Sequence, residues 1–142
     1  MRLVFSSMII TALACAAALA LAETASITGD WVCRINFSTI DGGGENTETF
    51  RFGADQSFEY RLRSSYYSAK QGSKKIDIGY RGSWIIDGKH LVFNRITRLD
   101  DARDDMVARW KIIELADGRM KLKPEASRER GGYERTFVRA GR

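Results

Sequence analysis

Hydrophobic and polar residues alternate with a period of two through a succession of short stretches, each ended by glycine or a polar cluster. Successive side chains of a strand point to opposite faces, so this period predicts half-buried β-strands. The first runs from Trp31 to Ser38, with Trp31, Cys33, Ile35 and Phe37 on one face and Val32, Arg34, Asn36 and Ser38 on the other. The next segment, 41–46, holds three consecutive glycines, whose ordering costs backbone entropy, and it reads as a loop. Strand two covers Thr47 to Phe52. After a turn at 53–57, strand three covers Phe58 to Ser65, with Phe58, Tyr60 and Leu62 opposite Glu59, Arg61 and Arg63. The polar, basic stretch from Ser68 to Lys75 reads as an exposed loop.

Strand four spans Ile76 to Ile86, with a bend expected at Gly79 or Gly82. Asp87-Gly88-Lys89 is the strongest hairpin signal, because Asp-Gly supplies the positive φ of tight antiparallel turns. Leu91 to Thr97 returns as strand five. Met106 to Leu115 forms strand six, with Met106, Ala108, Trp110 and Ile112 on one side, and a turn at Asp117-Gly118 joins it to Met120–Lys123. Pro124 to Gly132 is a polar connection, and Tyr133 to Arg139 closes the chain as a strand whose inward face the pattern leaves open. About eight strands without a helix-length apolar pattern predict an all-β fold, a small antiparallel up-and-down barrel that removes its own sheet edges. A two-sheet sandwich is the other arrangement the pattern allows. One short helix has room at Leu99–Asp105 or Glu125–Arg130.

The N-terminus follows a different grammar. Arg2 precedes an apolar run from Leu3 to Leu21, and a small-x-small site stands at Ala20-Leu21-Ala22, as in a cleavable signal peptide cut after Ala22. The competing readings are a membrane anchor and a lipidated Cys15 after Ala12-Leu13-Ala14. The alanine-rich run and the position of the small-x-small site favour cleavage, and the apolar stretch after Cys15 is a poor lipoprotein tether. The expected protein is therefore periplasmic or secreted, with residues 23–142 as one domain and no membrane span once the signal is removed.

Without residues 1–22, 120 of the 142 residues remain, enough for one core. Cys33 is then the sole cysteine, so no intramolecular disulfide can form and stability must come from apolar packing. Its apolar neighbours on the same face predict a buried, inert thiol. Charge is uneven: residues 23–60 carry 2 basic and 7 acidic groups, residues 119–142 carry 8 basic and 3 acidic. A basic C-terminal stretch can attract an anionic partner, but outward Arg and Lys on alternating strands are the favoured account of it.

No constellation for catalysis, metal or cofactor binding stands out, and no enzyme activity is expected. His90 is the single histidine, which excludes a multi-histidine metal site and leaves a general base at a hairpin end without partners. Asp100, Asp101, Asp104 and Asp105 offer oxygens for Ca²⁺, yet their spacing departs from that of an EF-hand, and a solvated acidic loop is the expectation. Tyr60, Tyr66, Tyr67 and Tyr80 interleave with Arg61, Arg63, Lys70, Lys74, Lys75 and Arg81, a composition able to stack bases and hold phosphates. Strand aromatics are more often core, and an exported protein seldom meets nucleic acid, so nucleic acid is not an expected partner.

Gly29-Asp30-Trp31 at the head of the first strand resembles the Gly-x-Trp signature of lipocalins and their calycin relatives. The resemblance to bacterial lipocalin-like exported domains extends through Phe52 and Phe58 around a turn, Gly82-Ser83-Trp84, Asp87-Gly88, Leu91 and Phe93, and Arg135 with Phe137. It covers most of residues 27–139. It implies an eight-stranded barrel in which an arginine of the last strand, Arg135, stacks near Trp31. The chain lacks the disulfide and the C-terminal helix of lipocalins proper. Two functions remain open at this point. One is a monomeric binding module for a small apolar or amphipathic ligand, with Trp31, Phe37, Phe58, Tyr60, Trp84, Phe93 and Trp110 lining the interior. The other is a barrel with a filled core that acts through its outer surface on an envelope protein, as an interaction or inhibitor module.

Overall fold

The structure, a computed structural model, describes residues 27–100, 105–125 and 132–141. The signal peptide expected at 1–22 and two of the four acidic candidates, Asp101 and Asp104, lie outside the described residues. Eight strands follow one another: β1 (Gly29–Thr39), β2 (Gly42–Phe52), β3 (Ser57–Ser68), β4 (Gly72–Asp87), β5 (His90–Asp100), β6 (Arg109–Ala116), β7 (Arg119–Pro124) and β8 (Arg135–Arg139). Each pairs antiparallel with the next, and β8 returns to β1, so the sheet is a closed up-and-down barrel, as the alternation predicts, and not a sandwich. Of the two segments considered for a helix, Leu99 and Asp100 belong to β5, Asp105 and Glu125 have no regular structure, and the rest lie outside the described residues.

Two expected loops are strand instead. Gly42, Gly43 and Gly44 open β2 and pair with Thr39, Ser38 and Phe37 on one side and with Ser68, Tyr67 and Tyr66 on the other. Hydrogen bonding to two neighbours offsets the entropy the glycines lose. Their small size is also required: a Cβ on Gly44 would lie 2.3 Å from the Ser65 carbonyl oxygen. The stretch from Ser68 to Lys75 is likewise a hairpin, with a turn at 69–71 and Gly72–Lys75 paired back onto Ser65–Ser68. Its polarity reflects two solvated faces near a strand end, which composition alone cannot separate from a loop.

Smaller differences have local causes. The bend in β4 is a bulge between Arg81 and Ser83, at Gly82, the second of the two expected places. Strand six starts at Arg109, later than expected; Met106 is buried, but Ala108 is exposed, so the two do not share a strand face. In β8, Phe137 is buried with Arg135 and Arg139 half-buried on the same face, while Val138 points out.

The strands are unequal in length, and that shapes the molecule. At one end lie the turn after β2 and the Asp87-Gly88-Lys89 and Asp117-Gly118 turns, with the start of β1 and the end of β8. At the other end, β1 to β4 continue past the level where β8 stops, forming a four-stranded apron above the barrel mouth. Its inward face carries Ile35 and Phe37 from β1, Asn46 from β2, Ser64 and Tyr66 from β3, and Ile76 from β4. The barrel outside is polar, with Asp30–Arg51, Glu59–Arg61 and Asp77–Arg63 ion pairs running across β1 to β4.

Candidate functional site

The closed end is built around Trp31. The sequence places a glycine two residues before it because the backbone there takes φ +127°, and an added Cβ would meet an Arg139 guanidinium nitrogen at 2.8 Å. Arg139 lies over the Trp31 ring at 4.5 Å and donates to the Thr28 carbonyl at 2.8 Å. The indole N–H donates to the Ile27 carbonyl at 2.7 Å, so the ring is buried with its one donor satisfied. The arginine on Trp31 is therefore Arg139 and not Arg135. The cause is register: Arg139 pairs directly with Trp31 across the β1–β8 seam, whereas Arg135 lies four residues back along β8, nearer the mouth.

Six of the seven residues expected to line the interior, Trp31, Phe58, Tyr60, Trp84, Phe93 and Trp110, are buried within the barrel. They fill it with one another. Phe58 meets Phe93 at 4.5 Å between ring centroids, Tyr60 meets Trp110 at 6.3 Å, and Trp84 meets Phe52 edge-on at 5.3 Å. The hub of this packing is Phe50, absent from the expected set, whose ring lies 4.7 to 5.5 Å from Phe52, Tyr60, Phe93, Trp110 and Phe137. The period-two pattern Glu48, Phe50, Phe52 along β2 was the signal for it. Phe37 stands apart, half-buried on the apron. Aromatic rings at these separations gain from edge and offset contacts and form a plug.

A polar cluster closes the plug on the mouth side. Glu48 is 3% exposed, faces Cys33 across β1–β2 and Leu62 across β2–β3, and would be a costly buried charge without partners. Its two carboxylate oxygens are both engaged: Arg135 Nε donates to one at 2.6 Å, and the Tyr60 hydroxyl donates to the other at 3.0 Å. Arg135 also covers the Trp110 ring at 5.5 Å and donates to the Tyr133 carbonyl. Burial, followed by the Glu48 charge, pushes the Tyr60 hydroxyl well above its usual pKa. The same two causes raise the Cys33 thiol, which is buried and free, as the alternation predicts. A thiol held protonated in this way is a poor nucleophile.

One rung above Glu48 on the same inward face is Asn46, whose Oδ1 is buried without a hydrogen-bond partner. Buried acceptors are nearly always paired, so this orphaned oxygen is the unusual polar atom of the mouth. Around it stand Ile35, Ser64 and, a rung nearer the plug, Leu62 and Ile78, all partly exposed. The second such atom, Trp84 Nε1, lies deep in the plug, where the aromatic packing bars access.

Other groups do not assemble. Tyr60 and Tyr80 stack inside the barrel at 6.2 Å, while Tyr66 and Tyr67 fall on opposite apron faces, so the tyrosine-rich stretch is not one aromatic surface. His90 is on the outer wall, 2.7 Å from Glu125, which in turn pairs with Arg109. Among the described residues no group of three or more His, Cys, Asp or Glu is placed to hold a metal ion. A groove of about 670 Å³ lies on the outer apron face between Asn36, Thr47, Arg63, Lys75 and Asp77.

No protein-family model matches the chain, and comparison with curated proteins finds no match.

Proposed function

We propose that the protein is an exported binding module that takes a small amphipathic ligand at the barrel mouth, above the aromatic plug. The observation that carries this reading is the unpartnered Asn46 Oδ1 beside Ile35, Leu62 and Ile78 on the inward face. A hydroxyl or N–H of the ligand satisfies Asn46, and its apolar part removes the half-exposed side chains from water. The seven aromatics expected as a lining then act mainly as the floor of the site, with Phe37 alone on its wall. The Gly29-Asp30-Trp31 corner with Arg139 supports the lipocalin-like resemblance, and the pattern at residues 1–22 supports export. The reading assigns no catalytic step and treats the protein as a monomer.

Native mass spectrometry of the protein purified from its own envelope, before and after organic extraction, tests the reading. A stoichiometric small molecule, lost in Asn46→Leu, is the expected result; an empty barrel that also fails to take up a panel of fatty acids and alcohols refutes it. The second reading, an envelope interaction module acting through its outer wall, is favoured by the filled core and by the charged groove beside Arg63 and Asp77.

A further inference from the structure

The two hairpin tips of the apron have a composition that neither the barrel nor the mouth requires. At the β1–β2 turn, Ile40 is wholly in solvent, with 104% relative exposure, at a position where turns favour Asn, Asp or Gly. At the β3–β4 tip, Tyr67 is 56% exposed, with Lys75 on its face of the hairpin and Lys70 in the turn, while Lys74 lies on the other face beside Tyr66. Against these three lysines the same stretch holds two acids, Asp41, 3.9 Å from Lys70, and Glu45, which shares a rung with Ser65 and Lys75. The tips are joined into one platform: the Ala69 amide donates to the Asp41 carbonyl at 2.8 Å, and Gly42 pairs with Ser68 across the same rung.

From this arrangement we infer that the apron tips dock on an anionic lipid surface, with Ile40 entering the bilayer. An exposed aliphatic apex, an exposed tyrosine and lysines in the turn and on both faces of the neighbouring hairpin match the order of hydrocarbon, interface and headgroup phosphate. A protein partner is a poorer fit, because a stable interface takes roughly 800 Å² from each side and the two turns are too narrow for that. Docked so, the mouth opens toward the bilayer, although the inference stands independently of any ligand there.

The test is cosedimentation of the purified protein with vesicles of 70:30 phosphatidylcholine and phosphatidylglycerol, alongside vesicles of phosphatidylcholine alone. The expected result is binding to the anionic vesicles that is lost in high salt. Ile40→Asn should weaken it about tenfold, and charge reversal at Lys70, Lys74 and Lys75 roughly a hundredfold. All four side chains are exposed, and an unchanged melting temperature verifies that each variant is folded. Asn46→Leu should bind vesicles as the parent does, which separates this inference from the proposed mouth site. Equal binding to neutral vesicles, no binding to either, or full retention by Ile40→Asn overturns it.

Discussion

Replacing Arg135 with methionine keeps an apolar stem over Trp110 and removes the cation that pairs with Glu48. The carboxylate then stays buried with the Tyr60 hydroxyl as its sole donor among the contacts described above. Breaking a buried pair from one side costs about 3–5 kcal/mol, because the remaining charge is uncompensated. The Arg135 side chain is 23% exposed and that of Glu48 4%, which places the cost at the lower end, about 3 kcal/mol. For a domain of this size the melting temperature should fall by about 10 °C. Urea unfolding followed by tryptophan fluorescence measures the loss, and a double-mutant cycle with Glu48→Gln gives its origin. The glutamine carries no charge and still meets Tyr60, so Glu48→Gln/Arg135→Met should recover to within about 1 kcal/mol of the parent. The reasoning fails if Arg135→Met unfolds within about 0.5 kcal/mol of the parent, or if the double variant is as unstable as the two single losses added together.

Gly29→Ala should cost about 2 kcal/mol, since it combines a positive φ with a clash against Arg139 at 2.8 Å, and differential scanning calorimetry would register it. Tyr60 has its pKa raised in the folded state by burial and by Glu48, so the unfolded chain gives up this proton first and stability should fall as pH rises above about 10. In Tyr60→Phe that alkaline loss should be shallower, with a cost of about 2 kcal/mol at neutral pH for the missing hydrogen bond to the buried carboxylate; parallel alkaline profiles would contradict the assignment. Cys33 should resist a disulfide reagent in the native protein and react once the chain is unfolded in urea, because the thiol is both buried and held protonated.

The parts legible in the sequence are those with a clean period. β1, β3 and the Asp-Gly hairpins could be read directly, since an alternating face and a turn residue each have a single structural meaning. The apron could not, because near a strand end both faces are solvated and Ser68–Lys75 has a loop composition even while it pairs with its neighbours. Gly42–Gly44 shows the same limit: glycine marks both a turn and a close approach of backbones, and only the presence of β3 decides between them. The candidate site was half legible. Trp31, Tyr60 and Trp110 were visible as large inward residues, but Glu48 lay in a polar stretch and Arg135 was assigned to the wrong tryptophan. Both errors concern contacts across strands far apart in sequence, such as Glu48 with Arg135, and no local pattern encodes the register that joins them.

The β1–β8 seam is the short ladder of the barrel, with Trp31 opposite Arg139 and Val32 opposite Val138, where β1 and β2 pair along their whole length. Two arginines of β8 reach across it, Arg139 to Trp31 and Arg135 to Glu48, so side chains fasten a joint that backbone hydrogen bonds hold only briefly. Failure of that fastening releases more than one strand. An opened barrel bares the unpaired edges of β1 and β8, each a template for another chain. Damage at the two arginines should therefore surface first as concentration-dependent self-association, with the small strand β8 acting as the buckle that keeps a long sheet from finding partners.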